Sequence, residues 1–374
     1  MNRPDSPDGG FIRKMNNLPN HTKRFDPRRF FFILSGLLLI GGIVAGNSSG
    51  FTVWSRSFHQ GGIFSLAGTD GTLVAAKFYR DQVQVLARDK LTALNWPKPA
   101  RVVAGDGVFY VIGLLNNKVA CLTPNGNLRA ETEFPANYVI TALLPDRKGT
   151  WVAGYRKRRI DDRPKEHFFL PEYSRFEWFV EFHERGLPAG PVRFSHAARR
   201  FDQQAWHEES GGFWRLLEQG GQLYLINDQA ETITCLDKER GRIIWQAATP
   251  PRPTGAVIWG DRLLVCSAQG GVLAAYRLDN GGTIWNKALG RGLADLALFQ
   301  NKIAISDMIH DRLLLVDPLN GMVVNELGLA GGPHALLSDG DRLAVGLDIA
   351  DEVVWLDSTL REVQTKSLNP GDTP

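Results

Sequence analysis

The side chains in this 374-residue chain with the most chemical potential are eight histidines, at positions 21, 59, 167, 183, 196, 207, 310 and 334. No two of them stand at the HxH or HxxxH spacing of a preformed metal site. A metal would have to be gathered by residues converging from distant parts of the chain. His310, in Met308-Ile309-His310-Asp311, and His334, in Gly332-Pro333-His334, occupy loop positions near strand ends from which they could face a common channel. A solvated or capping histidine is the ordinary alternative. Asp307, Asp348 and Asp351 follow apolar runs at similar places, and such a group could bind Ca²⁺ through oxygen ligands. Asp is also a common turn residue, and turn formation accounts for these three more simply. No G-x-S-x-G elbow, P-loop or triad pattern is present. The sequence therefore assigns no catalytic residue, cofactor or metal ligand.

Three cysteines, Cys121, Cys235 and Cys266, lack the even count and close spacing of a disulfide framework and contain no CxxC pair. They read as small core residues. The net charge of +3 comes from the N-terminus, where residues 1–29 carry seven Lys and Arg against three Asp. The remainder is close to neutral, so no basic face is available for nucleic acid, and none is expected to bind.

One stretch does concentrate binding chemistry. Residues 155–210 open with Arg156-Lys157-Arg158-Arg159 and continue into aromatics at Phe168, Phe169, Tyr173, Phe176, Trp178 and Phe179. Arg and aromatic side chains supply most of the energy at protein interfaces. Arg156, Lys157, Arg158, Arg159, Phe168, Phe169, Tyr173 and Trp178 are accordingly the candidate partner-binding residues. The alternative is a decoration that packs locally.

The elements that must position these residues follow from a repeat. Gly241, Gly281 and Gly321 are 40 residues apart, and the next step reaches Arg361 in a similar turn. Leu223-Tyr224-Leu225, Leu263-Leu264-Val265, Ile303-Ala304-Ile305 and Leu343-Ala344-Val345 keep the same step, and Gly-Asp-Arg-Leu recurs at 260–263 and 340–343. Each unit contains apolar or alternating runs of four to seven residues divided by turn residues, the pattern of four short strands. Earlier units are legible around Gly71 to Ala75, Gly107 to Val111 and Tyr138 to Tyr155, the last resuming after an insertion at Trp178 to Phe182. A four-stranded unit of about 40 residues is the signature of a propeller blade. The fold expected is all-β, a seven-bladed β-propeller. The alternative is eight blades, with one hidden in the 71-residue step from Val152 to Leu223. Thr52-Val53-Trp54 and Glu362 to Leu368 both read as outer strands, one more than seven blades require.

Ahead of the repeat, Phe30 to Gly46 is apolar or small everywhere except Ser35. About 17 residues at 1.5 Å rise are close to the minimum for crossing a ~30 Å hydrocarbon layer. Lys23, Arg24, Arg28 and Arg29 immediately precede it, which places the N-terminus in the cytoplasm and the propeller outside. Arg28-Arg29-Phe30-Phe31-Phe32 also has the look of a twin-arginine export signal, with small residues Val44-Ala45-Gly46 near a cleavage point. Retained anchor and cleaved signal both remain open. The expected division is a basic cytoplasmic tail (1–29), a transmembrane anchor or signal (30–46), the propeller (51–369, with an insertion at about 155–210) and a short tail (370–374).

The stretches Cys235 to Trp245 and Asp317 to Gly321 resemble the PQQ-like propeller repeat, in which an Asp, a turn Gly and an outer-strand Trp recur. Residues 331–357 also resemble the YVTN-type repeat of extracytoplasmic propellers. The resemblance implies a scaffold in which Trp245 and Trp285 lock neighbouring blades. It does not carry over quinone chemistry: the quinoprotein dehydrogenases of this superfamily are longer and eight-bladed, and their cofactor ligands and adjacent Cys-Cys pair have no counterpart here. The fit is better to membrane-anchored, non-catalytic relatives that use the propeller for docking, as a scaffold or accessory subunit of an envelope or redox assembly at the periplasmic face of an inner membrane. The rival is a quinoprotein-like oxidoreductase or a metal-assisted hydrolase working in the central channel.

Overall fold

The computed structural model describes residues 62–368 except 70, 106, 115, 160–173, 185, 188–189, 192–198, 208–212 and 229. The apolar run at 30–46, Thr52 to Trp54, the tail at 370–374, and Phe168, Phe169 and Tyr173 lie outside the described residues. Among the described residues no helix is long and apolar enough to cross a membrane.

The described chain forms seven sheets, each built on four antiparallel strands running from the inside of the ring outward, with a short fifth strand added to the second. The blades span 63–95, 99–133, 138–207, 213–248, 253–288, 293–328 and 333–367. No eighth blade is needed. The second strands Gln222–Asn227, Arg262–Ser267, Lys302–Asp307 and Arg342–Leu347 are equivalent and keep the 40-residue step. Their apolar residues are buried on both faces because each sheet is sandwiched between its neighbours, which is why these runs do not alternate. Outer strands are exposed, Val323–Gly328 almost throughout.

The Trp residues behave as the repeat implied. Trp245 Nε1 donates to the Leu278 carbonyl of the next blade at 2.9 Å. Its ring covers Gly281, where a Cβ would come within 2.5 Å of Cε3, and Trp285 covers Gly321 in the same way at 2.7 Å. These glycines also hold positive φ, +71° and +72°. Close approach and backbone conformation thus demand glycine together. Blade 7 departs from the pattern. Its turn is one residue tighter, so Leu360 (φ +62°) takes the left-handed position and Arg361 does not occupy the place of the turn glycines. Cys121, Cys235 and Cys266 are buried, unbridged and in different blades.

Residues 155–210 contribute strands to blade 3 itself. Its second and third strands, Gly149–Arg159 and Ser174–Glu184, are eleven residues each, where the corresponding strands of blade 4 have six. Its outer strand is Arg199–His207. On the way, Gly190–Pro191 pairs in parallel with Thr132 and Glu133, adding a short fifth strand to the edge of blade 2. Leu187 packs into the core shared by blades 2 and 3.

Ring closure rests on a buried ion pair. Lys77, at the end of the blade 1 strand Thr72–Lys77, is fully buried and donates to the Asp351 carboxylate in blade 7. Its ammonium also lies 3.4 Å from the Leu368 carbonyl, and Leu368 N donates to the Asp351 carbonyl at 2.9 Å. Arg80 approaches the same carboxylate at 3.7 Å. Burial pushes the Lys77 ammonium down from its ordinary pKa and the Asp351 carboxyl up, and their mutual attraction opposes both shifts. The desolvation cost is therefore large enough that losing one partner should hurt more than losing both. Lys77→Met alone should cost about 3–5 kcal/mol, while Lys77→Met with Asp351→Asn should regain much of it. Asn suits the positive φ of Asp351 (+62°). Denaturant titration of the two variants measures this, and a double variant no more stable than the single would refute it.

Candidate functional site

Every inner strand carries a one-residue irregularity at the same register: at 63/65, 99/101, 213/215, 253/255, 293/295 and 333/335, and opposite Ala153/Gly154 in blade 3. A bulge re-aims the side chains beside it. The residues just past it form one layer around the ring, Ser65, Arg101, Ala142, Arg215, Gly255, Asp295 and Ala335 in blade order. Ser65, Arg101, Arg215 and Asp295 line a cavity of about 250 Å³ along the axis, together with Phe64, Thr254 and His334.

Arg215 of blade 4 pairs with Asp295 of blade 6. It reaches past blade 5, where a Cβ on Gly255 would come within 2.9 Å of the Leu296 nitrogen. The Asp295 carboxylate also accepts from Leu296 N (2.9 Å) and from Leu336 N (3.2 Å) of blade 7. Asp295 N donates to Ser306 Oγ (3.0 Å), which donates to the His334 carbonyl (2.6 Å). Arg101 is pushed down to about 9 by burial and by the neighbouring Arg215 charge, with Asp295 and Asp228 opposing. The His334 ring packs against Phe64 at 5.0 Å between centroids. Thr254 and Ser65 donate to the Leu293 and Val102 carbonyls of adjacent blades. With its hydroxyls bonded to main chain and its carboxylate taken by three donors, this layer is built to hold charge.

The other residues singled out by type meet different fates. Asp307, fully buried, pairs with Arg312 Nε (2.8 Å) and His310 Nδ1 (2.8 Å). Asp351 is the closure partner of Lys77, and it also sits in a positive-φ turn shared with Glu231, Gly271 and Asp311 at the same 40-residue step. Turn formation and ion pairing together account for these carboxylates. Among the described residues, no three His, Cys, Asp or Glu are grouped to hold a metal.

Arg156, Lys157, Arg158 and Arg159 lie on the part of the blade 3 hairpin that exceeds its counterparts. Five further registers, Tyr155 opposite Trp178 to Arg159 opposite Ser174, extend it by ~16 Å at about 3.3 Å per residue. The extension leaves the ring at the end that carries the Lys77, Asp307 and Asp351 turns, because it continues the same strand-two to strand-three connection. Arg156 is half-buried, its guanidinium 5.8 Å above the Tyr138 ring. Trp178 is 1% exposed and edge-on to Tyr155 in the core between blades 3 and 4. It packs the base of the hairpin and offers no surface to a partner. Arg101, Arg215 and Asp295 were not apparent from residue type. The signal for two of them was positional: 215, 255, 295 and 335 keep the 40-residue step and form one column.

Residues 195–344 match the family model described as "Outer membrane protein assembly factor BamB". No curated protein matches the sequence significantly. Among solved structures, BamB from Moraxella catarrhalis is 12% identical, with 78% of this chain and 85% of that one covered at a TM-score of 0.51. Sqt1 of Saccharomyces cerevisiae is 12% identical over 83% and 86%, at 0.55. Streptogramin B lyase is 11% identical over 77% and 91%, at 0.52. At these identities the likeness is one of fold, and the fold hosts both an assembly factor and a lyase. The chain is a seven-bladed β-propeller, of which residues 195–344 match the PQQ-like repeat model of that family.

Proposed function

We propose that this chain is a non-catalytic propeller that docks a protein partner, as an accessory factor of an envelope assembly. The observation that carries this reading is the blade 3 hairpin, which overshoots the ring and bears the basic run Arg156 to Arg159, of which only Arg156 is seen packing, over Tyr138. The family description of the matched repeats, an assembly factor, supports it. Loops and extensions on a rigid scaffold are where binding residues concentrate. The polar layer of the channel speaks less for turnover, since its carboxylate is held by Arg215 and two main-chain amides.

The same reading places the propeller outside the cytoplasm, on the periplasmic side of an inner membrane, tethered or exported by Phe30 to Gly46 with the basic cluster before it. Reporter fusions joined after residue 60 should be active only in the extracytoplasmic compartment. Cytoplasmic reporter activity there would refute the placement.

Docking is tested by replacing Lys157, Arg158 and Arg159 with Ala and recovering the full chain from solubilised membranes. The partner should be lost, while stability shifts by no more than about 0.5 kcal/mol, as for substitutions away from packing, capping and buried polar contacts. Adding Arg156→Ala should cost about a further 0.5–1 kcal/mol of stability, because its guanidinium lies over Tyr138. Retention of every co-purifying protein by the triple variant would remove the hairpin from the docking site.

A further inference from the structure

We propose that the cavity between blades 2 and 3 binds the phosphate group of a small phosphorylated molecule. Its turn Asp146 to Gly149 joins strands one and two of blade 3, at the end of the ring opposite the hairpin, so the site is independent of partner docking there. A break in the repeat sets it. In blades 4 and 5 the outer-strand residue paired with the third strand beside the bulge is Trp245 or Trp285, and each ring covers the turn glycine of the next blade. The same register in blade 2 pairs Cys121 with Ala130. On the blade 3 side, Gly186 holds φ +86°, and a Cβ there would come within 3.3 Å of the Tyr110 hydroxyl. With Ala130 where the other blades carry tryptophan, these residues line a cavity of about 470 Å³.

Three cations, Arg129, Arg147 and Lys148, line it against one carboxylate, Asp146. Arg129 is the extra residue of the outer-strand bulge, a position held by Ile244 and Ile284 in blades 4 and 5. Burial pushes the Cys121 thiol up, and the Arg129 charge opposes it. The nearby acids are engaged by other lysines. Asp146 bonds to Lys238, which also reaches Glu218 at 3.7 Å, and Lys118 holds Glu131 at 2.6 Å and Glu133 at 3.8 Å. Glu184 is exposed opposite Gly149 and outside the lining, and counting it still leaves the balance positive. The cavities between blades 4 and 5 and between blades 7 and 1, at the same end, have no such excess: Asp261 and Asp279 face Arg277 in one, and Asp89 and Asp339 face Arg88 and Arg342 in the other. A phosphomonoester brings nearly two negative charges and three acceptor oxygens, which suits two guanidinium forks and an ammonium better than a single carboxylate does. The volume is that of a small-molecule site, so the phosphate is one end of the ligand.

Glucose 1-phosphate is the probe, with uncharged glucose as its control, titrated by calorimetry into the full chain in detergent at about 0.15 M ionic strength, where weak surface attraction is screened. Glucose 1-phosphate should bind with a Kd at or below about 1 mM and glucose at least about tenfold more weakly. Arg129→Gln and Arg147→Gln should each weaken it by about fivefold or more, whereas Lys90→Gln, an exposed site on blade 1, should not. Ala130→Trp, which installs the side chain of blades 4 and 5, should abolish binding with the ring folded. Dihexanoyl phosphatidate presents the same phosphomonoester on a lipid: tighter binding of it assigns the phosphate to a lipid head group, and tighter binding of glucose 1-phosphate assigns it to a soluble compound. Binding of neither phosphomonoester, equal binding of glucose, undiminished binding by the folded arginine variants, an equal loss in Lys90→Gln, or retained binding by folded Ala130→Trp would each overturn the proposal. If Ala130→Trp does not fold, the arginine variants decide.

Discussion

Everything in this ring depends on its closure, and closure places a charged lysine where no water reaches it. Blades 2 to 6 each have two neighbours supplied by chain continuity, whereas blades 1 and 7 must find each other across 274 residues. Apolar packing brings them together through Ile63, Leu66 and Ala75 on one side and Ala335, Ala344 and Val353 on the other. Packing alone is permissive about register. The Lys77 to Asp351 pair, with Leu368 tied to Asp351 through its main chain, adds a directional contact that a one-residue slip would break. Gly62 belongs to the same joint, because a Cβ there would overlap the Asp348 carboxylate.

Closure also creates the channel layer. Asp295 accepts from Leu336 N in blade 7 and pairs with Arg215 in blade 4, so its surroundings exist only when consecutive blades stand at the right angle. The bulge that aims these side chains recurs in all seven blades, but the residue just past it varies from blade to blade: a hydroxyl, guanidinium, methyl or carboxylate side chain, or glycine in blade 5. Repetition thus supplies geometry, and variation at one register supplies the charge pattern. The hairpin uses the opposite strategy. Its second and third strands keep the ring's register up to Gly154 and then continue beyond it, so the basic run is carried on strands whose base is anchored by Tyr155 and Trp178 in the core.

Much of this was legible in the sequence where turn chemistry and apolar runs repeat together. Blades 4 to 7 could be read from Gly241, Gly281, Gly321 and the second-strand triplets, because those glycines are required both by positive φ and by the tryptophan rings above two of them. Blade 3 was harder. Its strands are nearly twice the usual length and its path to the outer strand detours along blade 2, so within residues 155–210 only Trp178 to Phe182 read as part of the blade, and the outer strand Arg199–His207 did not. At the end of blade 7, Arg361 falls on the 40-residue step of the turn glycines, whereas a tighter turn moves the left-handed position to Leu360. Trp178 looked like an anchor by composition, but its neighbours place it in the core. The channel charges stayed hidden because polar residues on otherwise apolar strands gave no motif, and Arg101 lies in a blade outside the constant step.

The central claim is that the ring is a carrier and the blade 3 hairpin the part that meets another protein. Site-specific photo-crosslinking in living cells tests it most directly. A photoreactive amino acid at position 158 on the hairpin is compared with one at 319, an exposed outer-edge turn of blade 6. The account predicts a discrete protein adduct from position 158 and none of the same mass from 319. No adduct at 158, or the same adducts from both positions, would contradict it.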